Sequence, residues 1–530
     1  MNVIERTTHH APRNTPHAPR HAAWARLRDP WDVIILGGGI TGAGILALAA
    51  RLGLRALLLE QHDFASGTSS RSSKLVHGGL RYLKQMQFKL TRESVHERQY
   101  LLRAAPGLVH PLNFIYPVYS GDRPGAWLLE LGLGMYTRMG GGAGGYQELD
   151  AVDMLMLAPG IKQRQFETAY LYADAQTDDA RLTLRVLHDA LHASEGRCLA
   201  LNYARGGALL RAGGRVVGVG VQDQAGSRQE EALAGVVINA TGAWADDLRR
   251  QIERPARIRP LRGSHLYLSP SRFPIYQAVA MLHPEDGRPV FAYPWEGVIL
   301  LGTTDVDHGH DLGAEPRISA EEQAYLLAVA NHYFPDLALT AADILSTQAG
   351  VRPVIDTGKE DPSKEHRDHV IWAEEGLLTV TGGKLTTFRL IAHDALAAAR
   401  ELHPALPKPD ADLPVFATAA AGESAHLYGR YGAAAPAILA LPDHLQARLP
   451  GLPYRAAELV WSAVHEAVVH LDDLFLRRFR LGLLLADGGL SLLPTLRPHL
   501  QPALGWDDAR WLAEIDRYQT IWQQAHSVTD

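Results

Sequence analysis

Residues 32–44 read Asp-Val-Ile-Ile-Leu-Gly-Gly-Gly-Ile-Thr-Gly-Ala-Gly, and residues 55–60 read Arg-Ala-Leu-Leu-Leu-Glu. The apolar residues 33–36 predict a buried parallel strand, residues 45–51 predict the helix after it, and residues 57–59 predict a second strand. A strand, a glycine-rich turn, a helix and a second strand in this order are typical of a doubly wound α/β domain.

Three glycines and one acid give this turn its chemistry. Gly37, Gly39 and Gly42 complete a G-x-G-x-x-G pattern, and Glu60 ends the second strand 18 residues beyond Gly42. Gly37 allows the tight turn, and Gly39 lets a pyrophosphate approach the backbone. Gly42 lets the helix pack closely on the strand, while the helix N-terminus favours an anion. Glu60 can accept hydrogen bonds from ribose hydroxyls, so the whole stretch predicts dinucleotide binding.

The composition of the chain limits which class of protein it can be and which partners and metal sites it can have. The chain has 530 residues, 46% hydrophobic and 21% charged, which suits a soluble globular protein of two or three domains. A net charge of −6 gives no reason to expect a nucleic acid partner. The single cysteine, Cys198, excludes an internal disulfide and a metal site built from several thiolates, and we expect no metal.

The chain divides into four segments. Residues 1–30 are rich in His, Arg and Pro, lack an apolar core, and are predicted to be a disordered extension. Residues 31–400 carry the dinucleotide-binding domain interleaved with a substrate domain, whose parts we expect at about 110–170 and 245–370. Proline-rich residues 401–414 are typical of a linker, and residues 415–530 have the apolar spacing of a small helical domain. No stretch is predicted to cross a membrane.

Three further polar, glycine-rich stretches suit a bound cofactor. Residues 66–83 combine small hydroxyl residues, glycines and spaced cations, although a loop of this composition found alone is most often merely solvated. Residues 239–244 follow a buried strand and contain Gly242, where a cofactor could approach the backbone. Residues 381–387, Thr-Gly-Gly-Lys-Leu-Thr-Thr, follow another strand and begin a helix, which predicts N–H groups facing a flavin ring or a phosphate.

Taken together, these motifs resemble those of the FAD-dependent, aerobic, quinone-linked glycerol-3-phosphate dehydrogenase family. The resemblance runs from about residue 32 to residue 390 and continues more weakly through the helical tail. It rests on Gly-Gly-Gly-Ile-Thr-Gly-Ala-Gly, Thr68-Ser-Ser, Ser-Ser-Lys-Leu-Val-His-Gly-Gly-Leu-Arg-Tyr-Leu, Gly263-Ser-His, Gly302-Thr-Thr-Asp, Gly350-Val-Arg-Pro and Gly-Gly-Lys-Leu-Thr-Thr. The N-terminal thirty residues depart from the family pattern.

The resemblance implies a mixed α/β (α+β) fold. It has a Rossmann-like FAD-binding domain of the glutathione-reductase/D-amino-acid-oxidase type, a substrate domain with an antiparallel sheet, and a small C-terminal helical domain. The implied cofactor is FAD. The expected FAD-binding residues are Gly37, Gly39, Gly42, Glu60, Thr68, Ser69, Ser70, Lys74, Leu75, His77, Gly242, Gly383, Lys384, Leu385 and Thr386.

The implied reaction oxidises sn-glycerol 3-phosphate at C2 to dihydroxyacetone phosphate, with hydride transfer to N5 of the flavin. A small dianion needs fixed cations beside the flavin. The expected catalytic residues are His265, Arg352, Lys384 and Arg81, and the expected substrate contacts are Arg81, Tyr82, His265, Thr304, Arg352, Arg367 and Lys384.

Loss of hydride from C2 is easier if the C2 hydroxyl loses its proton, so we expect a general base. His265 is the preferred candidate because imidazole titrates near neutral pH, and His77 is the rival.

The resemblance also implies electron transfer to a membrane quinone, and a cytoplasmic protein held peripherally at the inner face of the cytoplasmic membrane. Basic amphipathic helices at about 88–103 and 388–402 are candidates for the membrane surface, although a helix of this kind is more often an ordinary solvated helix with one face on the core. A homodimer stays open. The alternatives are a glycerol-3-phosphate oxidase that uses dioxygen, an amine or amino-acid oxidase of the same fold, and a flavin-bearing protein without catalysis.

Overall fold

The computed structural model describes residues 20–80, 86–123, 125–140, 145–358, 368–417 and 425–528. The expected site residues Arg81, Tyr82 and Arg367 lie outside these ranges. Among the described residues, no helix combines the length and the apolar composition that crossing a bilayer requires. Within the same ranges, no group of three or more His, Cys, Asp or Glu side chains is arranged to hold a metal ion.

Two sheets and a set of C-terminal helices make up the described chain. The strands are β1 (Trp31–Leu36), β2 (Ala56–Leu59), β3 (Leu75–Val76), β4 (Val109–Tyr119), β5 (Tyr146–Leu149), β6 (Phe166–Thr177), β7 (Leu199–Leu201), β8 (Ala204–Ala212), β9 (Arg215–Asp223), β10 (Gln229–Asn239), β11 (Ile258–Leu268), β12 (Ala278–Leu282), β13 (Pro289–Trp295), β14 (Val298–Gly302), β15 (Val306–Asp307), β16 (Ile344–Ile355), β17 (His369–Glu374) and β18 (Leu377–Gly382).

The α-helices are α1 (Arg20–Ala25), α2 (Ile40–Arg51), α3 (Phe88–Ala104), α4 (Ala126–Met139), α5 (Ala151–Leu157), α6 (Asp179–Ala193), α7 (Ala245–Arg250), α8 (Ala320–Tyr333), α9 (Phe388–Leu402), α10 (Ala425–Tyr431), α11 (Ala435–Leu439), α12 (Ala456–His465), α13 (Leu481–Leu484), α14 (Leu493–Leu504) and α15 (Asp508–Ala525). A π-helical turn, Asp473–Arg478, precedes α13.

The first sheet has the order β17-β18-β10-β1-β2-β7, with β8 and β9 attached through β10. Strands β18, β10, β1, β2 and β7 run parallel, and β1 lies between β10 and β2. The carboxyl ends of parallel strands meet at one edge, where ligands of open α/β sheets bind. Helices α2, α6 and α9 contribute to the hydrophobic core that includes β1 and β2.

The second sheet is mostly antiparallel and has the order β15-β11-β14-β13-β12-β4-β6-β3, with β16 paired to β11 and β5 paired to β6. It shares a hydrophobic core with the C-terminal helices, where Trp511 and Tyr518 of α15 are buried. The predicted mixed α/β fold with an antiparallel second sheet and a C-terminal helical domain is confirmed.

The C-terminal helices are joined to the first domain by buried ion pairs. Arg478 donates from Nη2 to Asp63 Oδ1 over 2.9 Å, and Arg480 donates from Nε to Asp178 Oδ1 over 2.9 Å. Arg480 also pairs with Asp179. All these side chains are almost completely buried. The helical domain is therefore locked onto the first domain by charges as well as by apolar contacts.

Two segments are more ordered than the sequence predicts. Residues 20–30, predicted to be part of a disordered extension, include helix α1, whose Trp24 is buried; the prediction is wrong for these residues. Arg20 anchors α1 by donating from Nη2 to Asp223 Oδ1 over 2.5 Å. In the predicted linker 401–414, Leu406 is buried in the first hydrophobic core, because an apolar side chain there gains free energy by leaving water.

Candidate active site

A cavity of about 360 Å³ lies between the two sheets, within the size range of ligand pockets. Its wall includes residues that directly follow β1, β2, β10 and β18, namely Gly37, Glu60, Ala240 and Gly383. Strand order thus brings together loops that are hundreds of residues apart in the chain. The predicted residues that line it are Gly37, Gly39, Glu60, Thr68, Ser69, Leu75, His77, Gly242, His265, Arg352, Gly383, Lys384, Leu385 and Thr386.

Glycine is required in the turn after β1. Gly37 has φ of +109°, and a Cβ there would lie 2.5 Å from the carbonyl oxygen of Ala240. A Cβ on Gly42 would lie 1.9 Å from the carbonyl oxygen of Gly37, so only glycine lets α2 approach this turn. The backbone can therefore come close to a ligand in the cavity.

The N-terminus of α2 is suited to an anion. Gly39 is the N-cap residue and brings no side chain to the helix start, and the first turn holds no acidic residue. Ser69 Oγ accepts a hydrogen bond from Ile40 N over 2.9 Å, which fixes the loop after β2 against the helix start. The arrangement fits the pyrophosphate of a dinucleotide, because helix N–H groups and the helix dipole favour negative charge.

Glu60 is held at the end of β2. Its carboxylate accepts hydrogen bonds from Gly38 N over 2.7 Å and from His62 N over 2.8 Å. Burial raises the pKa of Glu60, and the two backbone N–H groups oppose that shift. Each carboxylate oxygen has further acceptor capacity, so Glu60 can also bind ribose hydroxyls.

His265 lies on β11, opposite Gly302 of β14 and Gln348 of β16. A Cβ on Gly302 would lie 2.2 Å from Cδ2 of His265, so glycine makes room for the imidazole. Ser73 Oγ lies 2.9 Å from His265 Nε2 and forms a hydrogen bond with it. Burial, followed by the charges of Lys74 and Arg352, lowers the pKa of His265 to about 3. The imidazole is therefore neutral at neutral pH and able to accept a proton.

Arg352 and Lys384, two of the cationic side chains in the cavity wall, were expected to contact the substrate. Arg352 of β16 donates from Nη2 to Asp305 Oδ1 over 2.5 Å, and its side chain is partly exposed. Lys384 follows β18 and donates from Nζ to Ser94 Oγ of α3 over 3.0 Å. The cavity wall thus contains both cations and the neutral imidazole, and the charge of Arg352 acts on His265.

The structure places several predicted residues outside the cavity wall. Lys74, expected to contact the cofactor, is fully buried and donates from Nζ to Asp179 Oδ1 and Gln348 Oε1, each over 3.1 Å. Ser70, also expected at the cofactor, is buried, and its carbonyl oxygen accepts from Lys74 Nζ over 3.2 Å. These partners compensate the burial of the charged Lys74 side chain, which points away from the cavity, and the expected role of Lys74 at the cofactor stays a prediction.

Thr304, expected to contact the substrate, also lies outside the cavity wall. Its hydroxyl accepts from Ser264 N over 2.9 Å and donates to Glu322 Oε1 over 2.6 Å, beneath the cavity wall. Gly42, expected among the cofactor contacts, does not line the cavity and instead allows α2 to pack closely against the turn after β1.

Other residues of the wall were not singled out from the sequence. Ser73 and Arg71 lie within the polar stretch 66–83 and line the cavity. The Arg71 side chain is mostly buried, and its Nη2 lies 2.5 Å from Glu315 Oε1. Trp244 also lines the cavity, beside Gly67. The sequence signal was the whole polar stretch, which does not reveal which hydroxyls and cations point inward.

The fold and cavity define an FAD-dependent oxidoreductase. The family described as "FAD dependent oxidoreductase" matches residues 32–389, and the family described as "C-terminal domain of alpha-glycerophosphate oxidase" matches residues 399–511. The turn after β1, the α2 N-terminus and Glu60 fit the ADP half of FAD, which is the cofactor.

Comparison with individual proteins identifies the family within this class of oxidoreductases. "Glycerol-3-phosphate dehydrogenase 2" of Mycobacterium bovis is 34% identical over 529 residues, covering 93% of this chain and 88% of that protein. "Aerobic glycerol-3-phosphate dehydrogenase" of Bacillus subtilis is 38% identical over 376 residues, covering 70% of this chain and 67% of that protein. The crystal structure of the glycerol-3-phosphate dehydrogenase from Bacillus halodurans complexed with FAD matches with a TM-score of 0.74 and 27% identity, covering 96% of this chain and 97% of that one. The chain belongs to the FAD-dependent glycerol-3-phosphate dehydrogenase family.

Proposed function

We propose that this protein oxidises sn-glycerol 3-phosphate at C2 to dihydroxyacetone phosphate and passes the electrons to a membrane quinone. The observation that carries the substrate assignment is the pairing of Arg352 and Lys384 with the neutral, buried His265 in the wall of one cavity. Arg352 and Lys384 bind the phosphate dianion, Arg352 through its planar fork and Lys384 as a point charge.

Bound FAD supplies the two-electron acceptor for the hydride that leaves C2. His265 accepts the proton of the C2 hydroxyl, and Ser73 holds the imidazole in place through its hydrogen bond to Nε2. Because the charge of Arg352 helps to lower the pKa of His265, a dianion bound at Arg352 offsets that effect. Substrate binding therefore raises the pKa of His265 and makes it a better proton acceptor.

Anaerobic titration of the FAD-loaded protein tests the substrate assignment. Glycerol 3-phosphate should bleach the oxidised flavin absorbance, and glycerol should not. Arg352→Ala should lower kcat/KM by about 100-fold, since a charge-assisted contact to a phosphate is lost. Arg259→Ala is the matched control, because Arg259 lies in the same sheet and pairs with Asp307 without lining the cavity. No bleaching by glycerol 3-phosphate in protein that retains FAD would refute the assignment.

The alternative acceptor is dioxygen. It is favoured by the match of residues 399–511 to the C-terminal domain of alpha-glycerophosphate oxidase. Adding air or a quinone to the bleached protein separates the two: reoxidation by quinone alone supports the dehydrogenase, and rapid reoxidation by air with release of hydrogen peroxide supports the oxidase.

Exposed apolar side chains support a peripheral position at the inner face of the cytoplasmic membrane. Helix α4 buries Leu129, Leu133 and Tyr136 on one side. Its other side exposes Trp127 by 72%, together with Leu128, Leu131 and Met135. Helix α5, joined to α4 through β5, exposes Val152, Leu155 and Met156. Exposed apolar side chains on two helices that pack against the same strand are typical of a membrane or protein contact.

The two helices proposed from the sequence fit this role less well. Helix α9 buries Phe388, Ile391 and Leu396 in the first hydrophobic core. Helix α3 buries Val95 and Leu101. Each therefore turns its apolar side to the protein interior, which leaves α4 and α5 as the proposed membrane surface.

The inner side of α4 reaches the segment beside the flavin. The hydroxyl of Tyr136 donates to the carboxylate of Asp174, which also accepts from Gly78 N over 3.0 Å. Gly78 follows His77, which lines the cavity. An apolar acceptor on the outer side of α4 would thus be linked to the cavity wall through Tyr136, Asp174 and Gly78. This connection supports a lipid-borne quinone as acceptor.

Flotation with vesicles of phosphatidylethanolamine and phosphatidylglycerol tests the proposed surface. The double variant Trp127→Ser/Leu131→Ser should lose most vesicle binding and keep reduction by glycerol 3-phosphate. Leu512→Ser is the matched control, because Leu512 is an equally exposed leucine on another helix, α15. Unchanged flotation of the double variant would refute this surface. The predicted homodimer stays a prediction, and sedimentation of the same variants tests whether α4 and α5 instead pair two copies.

A further inference from the structure

The carboxylate of Asp305 bridges two arginines beneath the cavity wall. Its Oδ1 lies 2.5 Å from Nη2 of Arg352, and its Oδ2 lies 2.9 Å from Nη2 of Arg288. Arg288 also donates from Nη1 to the carbonyl oxygen of Asp305 over 3.0 Å. The Asp305 side chain is completely buried. Of Asp305, Arg288 and Arg352, only Arg352 lines the cavity. Asp305 therefore contacts Arg352 on the side that faces away from the cavity.

The turn that carries Asp305 accepts a hydrogen bond from Arg352 Nη2 at the carbonyl oxygen of Thr304 over 3.4 Å, and it is also fixed by contacts that do not involve Arg352. Thr304 donates to Glu322, whose carboxylate also accepts from Ser264 Oγ over 2.9 Å and pairs with Arg262 at 2.7 Å. Glu322 belongs to the capping box of α8, formed with Ser319. A buried carboxylate with this many donors holds the backbone of the turn rigidly, so Asp305 has a defined position before any ligand binds.

The charges of Asp305, Arg288 and Arg352 explain why a buried carboxylate can lie next to a site that binds an anion. Asp305 alone would cancel the charge of Arg352. Arg288 adds a second positive charge beside the same carboxylate, so Asp305 divides its charge between two arginines. Arg352 thus gains a fixed orientation, and the cavity keeps its attraction for a dianion.

We propose that Asp305 is a positioning residue for Arg352, and that Arg288 preserves the positive charge of the pair. This inference rests on the proposed function, because it assigns Arg352 to the phosphate. A free arginine side chain samples many rotamers, and the ion pair with Asp305 selects the one that faces the cavity. Positioning of this kind determines how the bound phosphate orients C2 toward the flavin.

Asp305→Asn tests the positioning role, because it keeps the size of the side chain and removes its charge. The maximal rate of anaerobic bleaching by glycerol 3-phosphate should fall about tenfold, as expected for loss of one charge-assisted hydrogen bond. Asp305→Glu should recover part of the rate. Asp307→Asn is the matched control. Asp307 is two residues after Asp305, pairs with Arg259 and does not line the cavity. FAD content should match the wild-type value, and Tm recorded for both variants separates a loss of stability, which removal of a buried charge causes, from a loss of rate.

Two comparisons separate positioning from a merely structural effect. In an Arg352→Lys background, Asp305→Asn should change the rate by less than about twofold, because residues that act through one another are not additive. The rate at which phenylglyoxal modifies Arg352, read by peptide mass spectrometry, should rise about fivefold in Asp305→Asn and stay constant in Asp307→Asn, as expected when the guanidinium loses its carboxylate partner.

Two results would overturn the inference: a wild-type bleaching rate in Asp305→Asn, or an equal loss of rate in the Arg352→Lys background. The phenylglyoxal measurement does not depend on turnover. If wild-type protein is not bleached by glycerol 3-phosphate, the proposed function fails, and the modification rate still decides whether Asp305 restrains Arg352.

Discussion

Replacing Asp63 with alanine should loosen the C-terminal helices from the FAD domain. Asp63 is completely buried and accepts hydrogen bonds from Arg477 Nε over 2.5 Å and from Arg478 Nη2 over 2.9 Å. It also accepts from Asn202 Nδ2 over 3.1 Å. Burial alone would raise the pKa of Asp63, but the charges of Arg478 and Arg477 lower it below its usual value. The carboxylate is therefore ionised in the folded protein.

The cost of this change follows from the charges it leaves behind. Removing one partner of a buried ion pair destabilises a protein by about 3–5 kcal/mol. Arg477 keeps Asp472 and Asp473 as partners, and Arg478 keeps a hydrogen bond to the carbonyl oxygen of Glu466. We therefore expect about 3 kcal/mol, a substantial part of a total stability of roughly 5–15 kcal/mol.

Urea unfolding of the FAD-loaded protein measures this loss, with tryptophan fluorescence and far-UV circular dichroism recorded on the same samples. The two signals should separate in Asp63→Ala if the helical domain opens first. Glu230→Ala is the control, because Glu230 pairs with the exposed Arg28 and should cost at most about 0.5 kcal/mol. A loss below about 1 kcal/mol in Asp63→Ala, with the two signals superimposed, would refute the reasoning.

Three further predictions follow from the structure. Gly42→Ala should abolish FAD retention on gel filtration, because its Cβ would lie 1.9 Å from the carbonyl oxygen of Gly37; a yellow, stable variant would contradict this. His265 has a folded-state pKa of about 3, below its unfolded value near 6.5, so the unfolded chain binds the proton first and stability falls as the pH is lowered from about 6.5 towards 3. Urea midpoints at pH 7 and pH 5 should therefore differ less in His265→Gln than in the wild type. Hydrogen bonds to Asp368 and Asp394 raise the pKa of His369 to about 9, so its stabilising effect is complete below about pH 6.5 and is lost as the pH rises through about 9. The Tm difference between wild type and His369→Gln should accordingly be present at pH 6 and vanish at pH 10.

The FAD domain could be predicted from the sequence because its signals are local. Gly37, Gly42 and Glu60 lie within 24 residues of one another, and each has a physical task that only its own residue type performs well. The stretch 381–387 was likewise predicted to face the cofactor, and Gly383 and Lys384 line the cavity. In both places, a short segment contains all the residues that the geometry needs.

The predicted residues outside the cavity wall depend on partners far along the chain. The family resemblance implies a cofactor contact for Lys74, and its side-chain partner Asp179 is 105 residues away. Asp179 is in turn paired with Arg480 of the C-terminal domain. A polar loop alone cannot distinguish a lysine that faces a ligand from one that completes a buried ion-pair network.

The apolar surface of α4 could have been found with closer attention to periodicity. Helix α4 carries two apolar stripes: Leu129 and Leu133 on its buried side, Trp127 and Leu131 on its exposed side. A helix with apolar residues on both sides is expected to have a second partner besides its own core. Positive charge, from which the two basic helices were predicted at the membrane, does not reveal the apolar outer side of α4.

The ion pair between Asp63 and Arg478 also affects the order of events during synthesis. The two residues are 415 positions apart, so their ion pair can form only after most of the chain has been translated. At roughly 5–20 residues per second, this delay lasts about 20–80 s. During that time, the nascent FAD domain holds an acid in its interior without its cationic partner. The FAD domain therefore gains the cationic partners of this buried acid only when the C-terminal helices have been synthesised.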